Sequence, residues 1–137
     1  FITIGKKSYP SYNIRFMTSP DGITFGKDFQ VCIDFADDDE YRVARPWVIK
    51  HRGLYRMYYY IATRSAGFRL AYAESNDGIN WVRMDELIGI ERSASGWDSE
   101  MIAYPSVIRC GKQVYMFYNG NNYGEGGFGY AVLADRD

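Results

Sequence analysis

The chain repeats itself, and this self-similarity limits its possible folds more than any other feature. Ala44-Arg45-Pro46-Trp47-Val48-Ile49-Lys50 aligns with Ala103-Tyr104-Pro105-Ser106-Val107-Ile108-Arg109 at an offset of 59 residues. The same offset sets Met57-Tyr58-Tyr59 over Met116-Phe117-Tyr118. With one residue deleted, Ala71-Tyr72-Ala73 falls on Gly129-Tyr130-Ala131. A second echo pairs Ser19-Pro20-Asp21-Gly22-Ile23-Thr24-Phe25 with Ser75-Asn76-Asp77-Gly78-Ile79-Asn80-Trp81. Two echoes in the same order mark a repeated supersecondary unit.

Each unit reads as four short strands. In the fuller copy they cover about residues 46–50, 55–62, 68–74 and 80–83, with turns at His51-Arg52-Gly53 and Asn76-Asp77-Gly78. Asp-Gly between β-rich runs signals a hairpin, because glycine accepts positive φ. No stretch keeps a helical period. The last copy stops after a third strand at residues 128–133, and residues 1–4, 12–18 and 23–25 read as strands of an earlier copy. Repeated four-stranded antiparallel units are the signature of a β-propeller. The expected fold is therefore all-β: one domain over 1–137, about two to two and a half blades of a five-bladed propeller.

Composition agrees with this reading. Aromatic residues make up 18% of the 137 residues, 13 of them Tyr, which suits sheets and also surfaces that stack on sugars. Sixteen Lys and Arg against 17 Asp and Glu give no general attraction to nucleic acid or to anionic membranes. No apolar run reaches the roughly 20 residues of a membrane helix. The chain starts at Phe1 rather than Met, which leaves room for a removed segment. Cys32 and Cys110 lie far apart and outside any metal spacing, so they read as buried free thiols of a reducing, cytoplasmic compartment.

Alternating strand direction puts the entry of each first strand, each second-to-third loop and each last-strand exit on one face. That face collects Asp37-Asp38-Asp39-Glu40, Arg42, Arg45, Arg64, the linker 84–104 and the loop 119–127. The opposite face receives the tight Asp-Gly turns, where Asp21 and Asp77 read as turn residues and not ligands. Long loops rich in polar side chains are where binding and catalysis are expected.

The Pro-led inner strands, the Met-Tyr-Tyr and Met-Phe-Tyr strands and the Ser-x-Asp-Gly-x-x-Trp/Phe turns resemble the five-bladed propeller glycosidases of the arabinanase, xylosidase and invertase type. The likeness runs from Ile14 over most of the chain. It implies action on a glycan without a cofactor. It also implies acids at the starts of inner strands: a base or nucleophile on the first blade, an Asp in an Arg-Asp-Pro-like motif on the second, and a Glu just before a Pro on the third. This chain departs from that pattern. Ala44 and Arg45 precede Pro46, Ala103 and Tyr104 precede Pro105, and the nearest carboxylates are Asp98 and Glu100. The Asp-Gly turn also resembles the structural Asp-box of sialidase propellers, one residue short of its spacing.

Asp98 and Glu100 are the expected catalytic pair. In an extended segment, residues i and i+2 point the same way with about 6–7 Å between Cα atoms. Glycoside hydrolysis uses carboxyl groups about 5–5.5 Å apart for retention and roughly 6.5–9.5 Å for inversion. The other reading of the same residues is that Asp98 caps a turn with Ser99 while Glu100 pairs with an Arg. Arg45, Arg64, Trp97, Tyr104 and Asn119 are the expected substrate-binding residues. Arg45 suits a substrate carboxylate or phosphate, or a pairing with Asp98 or Glu100. Trp97 suits a sugar ring, whereas Trp47 and Trp81 lie on strands and read as core between blades. One His and no Cys cluster give no zinc site. The acidic run 37–40 suits a hard cation or a solvated loop. Gly124–Gly127 lies between strands, not ahead of a helix, so it is no phosphate loop.

Two functions follow as expectations: a carbohydrate-active, glycoside-hydrolase-like protein, or a glycan-binding or assembly module that lost the acids. The partner is a carbohydrate and, because about 2.3 units leave a ring open, a second copy of the chain whose interface includes 1–18 and 128–133.

Overall fold

The computed structural model describes residues 2–4 and 6–134, with side chains described from Lys6 onward, and arranges them in eleven strands and four antiparallel sheets. β1 (Ile2–Ile4) pairs with β2 (Lys7–Tyr9), and β3 (Ile14–Phe16) pairs with β4 (Gln30–Ile33). β5 (Glu40–His51), β6 (Leu54–Thr63), β7 (Gly67–Ser75) and β8 (Val82–Arg83) form one four-stranded meander. β9 (Ala103–Cys110), β10 (Gln113–Asn119) and β11 (Phe128–Val132) form a three-stranded one.

The repeat is exact in register. Val48 faces Met57 and Met57 faces Ala73, while in the second copy Val107 faces Met116 and Met116 faces Ala131. The fourth strand of the second unit is absent among the described residues, as its sequence implied.

The side-chain period of two on β6 places a core on each side of the central sheet. Met57, Tyr59 and Ile61 face Ile14, Ile33 and Val43, joined by Trp81. Tyr58 and Tyr60 face the other way, with Leu70, Met101, Ile102, Val107, Met116 and Tyr118. Trp47 is 39% exposed and donates from Nε1 to the Val107 carbonyl at 2.8 Å, so it ties two blades together at their edge and does not fill the core.

Two further expectations are corrected. Residues 23–25 are not a strand: Ile23 and Phe25 are exposed beyond the Asp21 turn, and the strand is β4 instead. Asp21 instead holds Ile23 N and Thr24 N in the turn. Cys110, at the end of β9, is exposed, and only Cys32 is half-buried. Strand β2 had no forecast. Phe1 lies outside the described residues. On β11, Phe128, Tyr130 and Leu133 stay 61% or more exposed.

The two Asp-Gly turns match bond for bond. Ser19 and Ser75 each donate to the following Asp at 2.9 Å, and their Oγ atoms accept from Gly22 N and Gly78 N, also at 2.9 Å. Asp21 takes Ile23 N and Thr24 N, and Asp77 takes Ile79 N and Asn80 N, all within 2.9 Å. Both glycines sit at positive φ, 73° and 79°. Backbone N–H groups, first those of Thr24 and Asn80, hold both carboxyls far below the usual range.

Candidate functional site

The site begins with backbone strain. Arg45 and Tyr104, the two pre-proline residues of the repeat, both adopt left-handed conformations, with φ of 56° and 59°. Non-glycine residues rarely go there, and the residue before proline is restricted further. The ladder breaks at both places, between Ala44 and Trp47 in β5 and opposite Phe117–Asn119 in β9. A bulge of this kind re-aims a side chain and is characteristic of functional positions. The two re-aimed side chains meet each other: the Arg45 guanidinium lies over the Tyr104 ring at 5.3 Å.

From this contact an aromatic cluster spreads across the blade entries. Tyr104 packs on Tyr60 at 5.4 Å and meets Tyr123 edge-on at 6.3 Å. Tyr60 and Tyr123 each contact Phe68, at 5.5 and 5.6 Å. Beyond Phe68 lies Arg42, 5% exposed, with Tyr9, Tyr12, Tyr41 and Phe68 rings all within 6 Å of its guanidinium. Its Nε donates to the Pro10 carbonyl at 3.0 Å and its Nη1 to the Tyr123 hydroxyl at 3.4 Å. Burial outweighs the nearby charges and raises the phenols of Tyr41 and Tyr60.

Sequence reasoning found Arg45 and Tyr104 but not their neighbours Phe68, Tyr60 and Tyr123, and Arg42 was only one name on a face. Two signals were there to be read: an arginine between Tyr41 and Val43 in a strand, and one tyrosine inside a run of Asn and Gly at 119–127.

The loop ahead of β9 is turned, not extended. Gly96 has φ of 102°, and Ser99 donates to the Gly96 carbonyl from its Oγ at 2.8 Å and its N at 3.4 Å. The turn separates the two carboxylates. Asp98 is 5% exposed, with Tyr118 Oη donating to its Oδ2 at 3.4 Å, whereas Glu100 is exposed. Burial first, and the Asp98 charge second, raise the Tyr118 phenol. The Glu100 carboxylate has no hydrogen bond or ion pair among the described residues. Arg92 reaches only its backbone carbonyl, at 3.0 Å.

Asn121, which the sequence placed on this face only as part of the loop 119–127, fixes the turn. Its Oδ1 accepts from Glu100 N and Met101 N at 2.7 and 2.9 Å, and its Nδ2 donates to the Gly96 carbonyl at 2.9 Å.

Trp97 stacks on Tyr118 at 5.5 Å and sits in a slot floored by two glycines. A Cβ on Gly120 would come within 2.4 Å of its ring, and one on Gly129 within 2.5 Å. With 38% of the residue exposed, the indole packs over Gly120 and Gly129 and leaves part of its surface outward. Asn119 donates from Nδ2 to the Tyr123 carbonyl at 3.1 Å, holding the loop that presents Tyr123. Arg64 shares the face, since its N donates to the Asp39 carbonyl at 2.9 Å, but among the described residues no hydrogen bond or ring contact ties its side chain to the cluster.

The acidic run is spent on structure. Asp37 accepts from Asp39 N and Glu40 N, Asp39 bonds Ser65, and Glu40 pairs with Arg83. No group of three metal-ligating side chains stands together among the described residues. A cleft of about 880 Å³ is lined by Arg69, Glu86, Glu91, Arg92 and Ser99 and lies beside the aromatic cluster, not on it. No described helix is long and apolar enough to cross a membrane.

These blades form part of a propeller whose fold is like that of solved glycoside hydrolases. The structure superposes on a thermostable family-43 glycoside hydrolase with a TM-score of 0.69, 18% identity and 90% of this chain covered, against 45% of that chain. A second glycoside hydrolase gives a TM-score of 0.54 at 19% identity, covering 83% of this chain and 37% of its own. Both likenesses are of fold, and they are consistent with a partial propeller.

In sequence, the chain is 40% identical over 120 residues to "Uncharacterized protein Rv1502" and "Uncharacterized protein MT1551" from two strains of Mycobacterium tuberculosis. The match takes in 88% of this chain and 40% of theirs, so the chain spans about two-fifths of the length of these curated relatives. No protein-family model matches it.

Proposed function

We propose that this part of the propeller binds a glycan on the face made by Arg45, Tyr104 and Tyr123, and that its blade entries carry no hydrolytic acid. One observation carries the reading. The two strained pre-proline positions, where the resemblance calls for carboxylates, hold Arg45 and Tyr104 in matching left-handed conformations. The backbone device is kept while the acids are gone. A partly exposed tyrosine beside a half-exposed one offers ring faces for a sugar, and the arginine between the bulges supplies hydrogen-bond donors.

A second reading keeps hydrolysis, because the Glu100 carboxylate is exposed and unengaged among the described residues. Calorimetric titration with a glycan panel, run beside a reducing-end release assay, separates the two. Binding without release, unchanged in Glu100→Gln, is expected. Release that falls about 10²–10⁴-fold in Glu100→Gln would install Glu100 as a general acid or base. Assembly belongs to the same proposal: a second copy covers the exposed face of β11, and sedimentation equilibrium showing only a folded 15.8 kDa monomer would remove it.

A further inference from the structure

Arg42 is the anomaly of this molecule. Charged side chains are almost never this buried without a partner of opposite charge, yet Arg42 is 5% exposed and makes none of the three ion pairs among the described residues. The cage of Tyr9, Tyr12, Tyr41 and Phe68 covers its faces, since cations favour ring faces within about 6 Å. The edges are another matter. A guanidinium has five N–H donors, and only its Nε and Nη1 find acceptors, the Pro10 carbonyl and the Tyr123 hydroxyl. No fully buried side-chain nitrogen lacks a partner among the described residues, so Nη2, which makes no hydrogen bond there, keeps some contact with solvent.

Tyr123 links this group to the surface. Its hydroxyl takes Arg42 while its ring touches Phe68 and Tyr104, and Tyr104 carries Arg45. Two guanidiniums thus border one aromatic wall with no carboxylate of the chain within 4 Å of either, among the described residues.

We propose that this wall recognises an acidic sugar, with the carboxylate of a uronic acid taking the open edge of Arg42 and with Arg45 at the rim. The proposal rests on the glycan-binding reading above and names its substrate class. A planar carboxylate matches the fork of a guanidinium, and its charge is the counterpart a buried cation lacks. The sugar ring then lies against Tyr104 and Tyr123.

The test titrates the chain with short glucuronate oligomers, the matching neutral glucose oligomers and a sulfated glucose. Glucuronate should bind at least about tenfold more tightly than glucose, the worth of one charge-assisted hydrogen-bond pair, and should weaken as salt rises. Arg45→Met and Tyr123→Phe, both at exposed residues, should shrink that preference while circular dichroism stays unchanged. Equal affinity for glucuronate and glucose overturns this inference and leaves the glycan reading standing. Tighter binding of the sulfated sugar than of glucuronate overturns the carboxylate assignment. No binding to any of the three, by protein that melts cooperatively, overturns the glycan reading and this inference with it.

Discussion

Two arginines, Arg83 with 20% of its side chain exposed and Arg42 buried at 5%, are treated in opposite ways. Arg83 is clamped. It reaches both oxygens of Glu40 at 2.7 and 2.8 Å, the Asp85 carboxylate at 2.5 Å and the Asp34 carbonyl at 3.0 Å. Asp85 in turn accepts from the hydroxyl of Tyr59, a fully buried core residue, at 2.6 Å. Arg42 has four aromatic rings around its guanidinium and no carboxylate partner among the described residues. The first arrangement is complete within the chain; the second has donors to spare. Satisfied networks specify structure, and unsatisfied charge inside a fold points outward to a ligand.

The largest effect should come from breaking the clamp. Arg83→Met leaves Glu40, 4% exposed, as an uncompensated charge. Urea unfolding should then show a loss of about 3–5 kcal/mol, the usual consequence of removing one member of a buried pair. A change under about 1 kcal/mol, the range of exposed pairs, would erase the contrast.

Tyr59→Phe is the milder cut. It strips a hydrogen bond from Asp85 and should cost about 1–2 kcal/mol in the same assay. It also carries a pH signature. Burial first, and the Asp85 hydrogen bond second, push the Tyr59 phenol well above its ordinary value. The folded state therefore keeps this proton where the unfolded chain gives it up. The stabilisation is whole below about pH 10, the ordinary phenol value, and drains away as pH rises from there toward the higher folded value. Thermal melts across the alkaline range should fall less steeply in Tyr59→Phe than in the parent.

The smallest effect should be at the cage. Arg42→Met replaces a desolvated cation by an apolar chain, and such exchanges are commonly neutral or stabilising. Its unfolding midpoint should match or exceed the parent's, whereas a loss as large as that of Arg83→Met would show that Arg42 is structural.

Much of the frame was legible in the sequence because it is local or periodic. The 59-residue offset forecast two matching runs of strands, and the Ser-x-Asp-Gly echo forecast twin turns. What escaped depends on the chain folding back on itself. The i, i+2 spacing of Asp98 and Glu100 aligns two side chains only in extended backbone, and Gly96 with Ser99 makes a turn there. Asn121 acts across more than 20 residues, and Arg42 meets Tyr123 across 81, separations that no motif encodes. Arg45 was visible through its proline, but its left-handed φ was not, because a residue before proline favours the opposite side of φ space.

Strand β6 divides its side chains between two cores, and this has a kinetic consequence. Its backbone is paired on both edges, with β5 and with β7 from residue 54 or 55 to Thr63. Neither neighbouring blade can detach without stripping one face of the same strand. Opening is then a single event for both cores, and amide protons along β6 escape to solvent only when the whole unit comes apart. Those of β11, paired on one edge only among the described residues, exchange by local fraying long before.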